Sequence, residues 1–200
     1  MRSHLVVAAL AGACSLAFGQ SFEAAVSGGV SHIQSNVIGI AAISADSRTF
    51  SNVKLNDGFR LGFRMSVNPF SHLGFEVGYA YNRSKLHFDG PPVSETGFGI
   101  HQGFADALFH FTKEGSRVRP FVAGGLQFSN FVPPGASAQN GQGENKFGVN
   151  YGGGVKVRVK ENWQVRFDLR QYETGKPFSL PGASGRLLQD EISVGIGYVI

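Results

Sequence analysis

The chain has 200 residues, with 28 Gly, 18 Phe and one Cys, 42% hydrophobic and 16% charged, at a formal net charge of +4. That charge is too mild to imply a nucleic-acid partner, and aromatics are too plentiful for a disordered chain. No run reaches the roughly 20 apolar residues a membrane helix needs, and the length fits one domain.

The N-terminus reads as a targeting segment. Arg2 and His4 precede the apolar run Leu5–Phe18, and Ala17-Phe18-Gly19 places small residues where a signal peptidase reads. The expectation is a signal peptide over 1–19, a mature chain over 20–200, and export from the cytoplasm. Lipoprotein cleavage before Cys14 is the alternative, but Ala11-Gly12-Ala13 lacks the usual Leu. Cys14 would leave with the leader, so the mature chain could form no disulfide.

Period-two alternation then recurs along the chain, the spacing of strands with two unlike faces. Phe22, Ala24, Val26 and Val30 open a first strand, with Glu23 on the opposite parity. Residues 33–56 lack a clear period and read as a long polar loop. Phe59, Leu61, Phe63, Met65 and Val67 alternate with Gly58, Arg60, Gly62, Arg64 and Ser66, and Asn68–His72 reads as a tight turn. Phe75, Val77, Tyr79 and Tyr81 alternate with Glu76, Gly78 and Ala80, and a loop over 83–96 follows.

In the fourth strand two parities compete. Ala105, Ala107, Phe109 and Phe111 are taken as the outer set, which leaves Asp106 and His110 inside. Val122, Leu126 and Phe128 mark the fifth strand, followed by a flexible loop over 132–146. The sixth sets Phe147, Val149, Tyr151, Val155 and Val157 against Asn150, Lys156 and Arg158. The seventh sets Trp163, Val165, Phe167 and Leu169 against Arg166, Asp168 and Arg170. A loop over 173–188 leads to the last strand, Glu191–Ile200, with Ile192, Val194, Ile196, Tyr198 and Ile200 on one parity.

Connections alternate long and short, as in an up-and-down barrel with turns on one side of a membrane and loops on the other. Period two alone does not say which face is inside. Composition decides: the polar face mixes Gly, Ala and Ser with Arg, Lys, Asp and Glu, which fills a narrow interior. On a soluble exterior those glycines would weaken the strands. The fold class is therefore all-β, an eight-stranded antiparallel up-and-down transmembrane β-barrel. Phe59, Leu61, Phe63, Phe75, Val77, Tyr79, Val165, Phe167, Val194, Ile196 and Tyr198 are expected to face lipid. Tyr79, Tyr81, Trp163 and Tyr198 are expected near the membrane interfaces.

The chain resembles the small outer-membrane barrels of Gram-negative bacteria, the OmpA-like and OmpX-like transmembrane domains. The resemblance rests on the leader, on Arg119–Leu126, Asn150–Val157 and Arg166–Arg170, and on the amphipathic last strand. It implies residence in the outer membrane, and assembly by the barrel-assembly machinery through the C-terminal strand. That strand departs from the family pattern by ending in Ile200 rather than an aromatic. No peptidoglycan-binding domain is expected after the barrel.

The interior charges Glu23, Arg60, Arg64, Glu76, Asp106, Lys156, Arg158, Arg166, Asp168 and Arg170 need partners if buried. An ion-pair lattice that plugs the barrel is the first reading; a narrow porin-like, anion-favouring channel for small solutes is the alternative. No catalytic, cofactor or metal site is expected. No His-x-Ser occurs, and His101 and His110 fall on opposite faces of one strand. The loops 33–56, 83–96, 132–146 and 173–188 are the expected sites for an extracellular ligand.

Overall fold

A computed structural model describes residues 21–34, 36–42, 50–89, 94–136, 138–140 and 142–200. The expected leader lies outside these residues. The strands are β1 (Ser21–Ile33), β2 (Val37–Ala42), β3 (Phe50–Asn68), β4 (Leu73–Asp89), β5 (Ser94–His110), β6 (Val118–Val132), β7 (Glu144–Arg158), β8 (Trp163–Gly175) and β9 (Arg186–Val199). All neighbours are antiparallel. β1 pairs with β9 from Glu23↔Val199 to Ile33↔Gln189, and with β3 from Ser21↔Asn68 to Ser31↔Gly58. Those two pairings close an eight-strand barrel, with β2 as an extra strand on the free part of β3.

The outer wall carries the expected apolar belt. Phe59, Leu61, Phe63, Phe75, Val77, Tyr79, Phe167, Val194, Ile196 and Tyr198 all point outward and are exposed, and Val165 is half-buried on the same face. Ala105, Ala107, Phe109 and Phe111 face out, while Phe104, Asp106, Leu108 and His110 face in. From Phe59 to Val67 the belt covers eight steps. That is about 27 Å along the strand and about 20 Å along an axis tilted by about 40°. Trp163 and Tyr198 meet edge to face at 5.2 Å at the turn end. At the loop end Tyr79 Oη lies 2.5 Å from His101 Nδ1, and Tyr151 Oη donates to Glu173 at 2.9 Å.

Beyond that rim the faces exchange roles. β3 and β4 step from Phe59↔Arg83 to Asn56↔Lys85, three residues against two, which is a β-bulge at Asp57-Gly58. Val53 and Leu55 therefore point inward although they share sequence parity with the outward Phe59 and Phe63. A side chain at Gly58 would place its Cβ 2.3 Å from the carbonyl oxygen of Arg83, so the bulge needs glycine there. Val53 and Leu55 join Ile33, Ile38, Leu86, Phe98, Ile100, Phe131 and Leu187 in an apolar cluster that caps the lumen. Phe178 and Leu180, from the β8–β9 connection, pack against it. Ile40 N donates to Pro181 O at 2.9 Å and ties that connection to β2.

These overhangs correct the expected loops. Segment 33–56 contains β2 and the start of β3; its alternation was hidden by the bulge. Segment 83–96 is mostly strand, since β4 runs to Asp89 and β5 begins at Ser94. The loops 132–146 and 173–188 shrink to 133–143 and 176–185, with short 3-10 turns at Ala138–Asn140 and Pro177–Ser179. Ile38, Val53, Leu55, Leu86 and Leu187, apolar and buried above the belt, interrupt the alternation seen within it, whereas the strand gained at 144–146 is polar.

Two measurements test this geometry. Phe63→Arg should cost about 2–4 kcal/mol near the midplane, and a spin label at 63 should meet a lipid-soluble quencher that a label at 64 does not. Above the belt, His32 Nδ1 lies 2.7 Å from Asp57 Oδ2, and that hydrogen bond raises the His32 pKa from its ordinary value. The stability it contributes is complete below the ordinary His pKa and lost as pH rises through the raised one. An NMR titration should find His32 raised, and Asp57→Asn should return it to the ordinary range.

Candidate functional site in the barrel interior

The inward face of the belt region holds two charged groups, a small one around Glu23 at the turn end and a larger lattice around Glu76 and Glu191, which meet across the Phe121 ring. Order within the ring decides who can meet. β4 and β8 are diametrically opposite among the eight closing strands, as are β5 and β9. Only long side chains bridge that gap, and the residues there are Arg, Glu, Gln and Tyr.

At the turn end Glu23 on β1 accepts from Lys156 Nζ at 2.5 Å, Gln164 at 2.9 Å and Asn68 at 2.9 Å. Arg119 Nη1 stands 3.7 Å from the same carboxylate. Lys156 Nζ also lies 5.6 Å from the centre of the Phe121 ring.

Glu76 on β4 is the central acceptor. It takes Arg166 at 2.5 and 3.1 Å, Arg170 at 2.7 Å, Arg64 at 3.3 Å and Ser66 Oγ at 2.9 Å. Asp168 accepts from Arg166 at 2.6 and 2.9 Å and from Arg170 at 3.1 Å. Asp106 accepts from Arg170 and from Asn150, the latter at 2.7 Å. Such charge-assisted, multidentate contacts are the strongest hydrogen bonds a protein makes.

Glu191 on β9 completes the lattice. It accepts from Arg64 at 2.5 Å, Tyr172 Oη at 2.7 Å and Ser193 Oγ at 2.5 Å, with Arg60 Nε 3.2 Å away. Arg60 also donates to Asn82 at 3.0 Å and to Tyr172 Oη at 2.9 Å. Above it, Gln102 donates to Gln189 at 2.9 Å and to Ser129 at 3.2 Å, and Gln189 donates to Ser31 at 2.6 Å. The apolar cap follows directly.

Four guanidinium groups, Arg60, Arg64, Arg166 and Arg170, thus face four carboxylates, Glu76, Asp106, Asp168 and Glu191, and every one of these residues is buried. The charges balance within the lattice. Aromatic rings fill the space between: Arg64 lies 4.9 Å from the Phe104 centroid and Arg166 lies 5.1 Å from that of Phe121. Inward glycine makes room for them. A Cβ at Gly78 would fall 2.3 Å from Cζ of Phe104.

Nine of the ten interior charges named from sequence lie in these contacts. Arg158 does not: it sits half-buried at the end of β7, where the strand leaves the lumen, and among the described residues it makes no ion pair. Two charged members escaped the sequence reading. Glu191 shares parity with Ser193, Gly195 and Gly197, the small inward face of β9, and that parity was the available signal. Arg119 stands at the first inward position of β6, where a strand end masks periodicity. His101 faces outward and His110 is buried inside, on opposite faces of β5.

Comparison with known proteins agrees with this architecture. No curated protein matches the sequence. Among solved structures, the chain is similar to the outer membrane protein OprG from Pseudomonas aeruginosa, at 13% identity and TM-score 0.59, covering 89% of this chain and 95% of that one. It is also similar to Neisserial surface protein A, at 15% identity and TM-score 0.54, covering 90% and 97%. The N-terminal β-barrel domain of Pseudomonas aeruginosa OprF matches at 15% identity and TM-score 0.52, again covering 90% and 97%. At such identities these likenesses concern the fold. The sequence itself matches the family described as outer membrane protein beta-barrel domain over residues 5–199, so this chain belongs to that family and is an integral β-barrel of the outer membrane.

Proposed function

We propose that the chain acts as a closed, non-catalytic barrel with a structural and interaction role, its interior a plug and its loop-end overhang the working surface. The observation that carries this reading is the pairing of four buried arginines with four buried carboxylates beneath an apolar cap. A conducting lumen needs a hydrated path, or polar groups left free to replace the ion's hydration shell. Here each lattice charge is used by another, and the cap offers no polar path. The outward face of the overhang is polar and paired, with Lys54 2.5 Å from Asp89 and Lys85 3.1 Å from Glu95. Recognition by the shortened loops and this rim fits a rigid scaffold.

Three further elements belong to the proposal. The leader is cleaved after Gly19, the barrel-assembly machinery engages β9, and an extracellular ligand meets the loop end. N-terminal sequencing of the outer-membrane form should find Gln20 first; an intact Met1 or a lipidated Cys14 would overturn that step.

Purified wild-type protein in planar bilayers should show no steady conductance above the bilayer baseline. Glu76→Gln should lower the unfolding midpoint, at a cost of about 3–5 kcal/mol, because three arginines lose their shared acceptor. A steady anion-selective conductance together with unchanged stability of Glu76→Gln would replace this reading with a porin-like channel.

A further inference from the structure

We propose that the outer wall formed by β4, β5 and β6 seats one anionic lipid of the surrounding bilayer, with its phosphate at Arg83 and an acyl chain in a furrow along β5. The headgroup site is a cavity of about 410 Å³ lined by Tyr81, Arg83, Thr96, Gly97, Gly99 and His101 and bounded by the connection that follows Val132. Among the described residues no Asp or Glu lines it, while on its other side Arg83 borders a second cavity with Asp57 and Glu95. Among the described residues Arg83 makes no ion pair, whereas Lys85 is paired with Glu95 at 3.1 Å. The Arg83 guanidinium lies across Gly97, where a Cβ would stand 2.7 Å from Nη2. Tyr81 covers Gly99 in the same way, with ring carbons 3.5 Å from a Cβ there. Both side chains are thereby held against the wall, Arg83 Nη1 3.5 Å from Tyr81 Oη.

The level of this cavity is what selects a lipid. It sits at the rim where the belt turns polar, beside the Tyr79–His101 contact. Directly below it the outward positions of β5 are Gly103, Ala105 and Ala107, with Val77 and Tyr79 opposite on β4 and Leu126 and Phe128 opposite on β6. Among the described residues nothing lies within 4 Å of a Cβ built on Gly103, and Phe109 closes the furrow at its foot. An unpaired cation with hydroxyl donors, set over a narrow apolar channel in the membrane-facing wall, matches a phosphate joined to a chain. A soluble anion would use the cavity and leave the furrow without purpose.

The test uses the folded protein in phosphatidylcholine vesicles, with trace spin-labelled phosphatidic acid or spin-labelled phosphatidylcholine as the probe. Electron paramagnetic resonance gives the ratio of their association constants at the protein surface. The expected ratio is about fivefold in favour of phosphatidic acid, the scale of one basic residue near a membrane. Arg83→Gln should abolish the preference and Lys85→Gln should keep it. Gly103→Phe, which fills the furrow but leaves Arg83 in place, should reduce it. Excess inorganic phosphate at constant ionic strength should leave it unchanged. Circular dichroism establishes that each variant is folded. Persistence of the preference in Arg83→Gln, its equal loss in Lys85→Gln, an undiminished ratio in Gly103→Phe, or displacement by inorganic phosphate would each overturn the proposal.

Discussion

Inside hydrocarbon every backbone N–H and C=O must find its partner within the protein, and a sheet meets that demand only by closing on itself. In this chain the closure is the β1–β9 ladder from Glu23↔Val199 to Ile33↔Gln189. Eight strands make a narrow ring, so the inward side chains fill the lumen and cannot be left to water. Closure therefore dictates the interior chemistry: whatever charge enters must be neutralised there. The placement of Glu76 opposite Arg166 and Arg170 follows from the ring, because β4 and β8 lie across its diameter.

The lattice does not gain stability by being ionic. Taking an isolated charge out of water costs several kcal/mol, and a buried pair at best offsets that cost against a well-packed apolar alternative. Its consequence is register. Glu76 gathers donors from β3 and β8, Glu23 from β3 and β7 as well as β8, and Glu191 from β3 and β8. A one-residue slip of any of these strands would turn its whole charged face toward lipid. Above the rim the surroundings are no longer lipid, and the apolar cluster around Phe98 and Leu55 holds the overhang as an ordinary water-soluble core does. The Asp57-Gly58 bulge is the joint between the two regimes on β3.

Within the belt the period of two was enough to read the fold, and the outer set from Phe59 to Tyr198 needed no further information. What sequence could not supply was the set of partners. Glu76, Glu23 and Asp106 stood out because they interrupt faces of Gly, Ala and Ser, but the contact of Glu76 with β8 depends on ring geometry. Glu191 was legible by parity, but the strand read from sequence opened at that residue, five residues after the observed start of β9 at Arg186. The 33–56 segment failed for a physical reason: one extra residue at the bulge moves Val53 and Leu55 to the other face, so a single periodicity cannot describe β3 along its length.

The connection most open to test is that of the four arginines and four carboxylates around Glu76 and Glu191 into one lattice rather than independent pairs. Glu76 and Glu191 sit on different strands and are joined through Arg64, whose Nη1 is 3.3 Å from the first and whose Nη2 is 2.5 Å from the second. A double-mutant cycle of Glu76→Gln and Glu191→Gln, followed by unfolding in lipid vesicles, measures that link. A connected lattice predicts a coupling energy of about 0.5–3 kcal/mol; additivity within about 0.3–0.5 kcal/mol would contradict it.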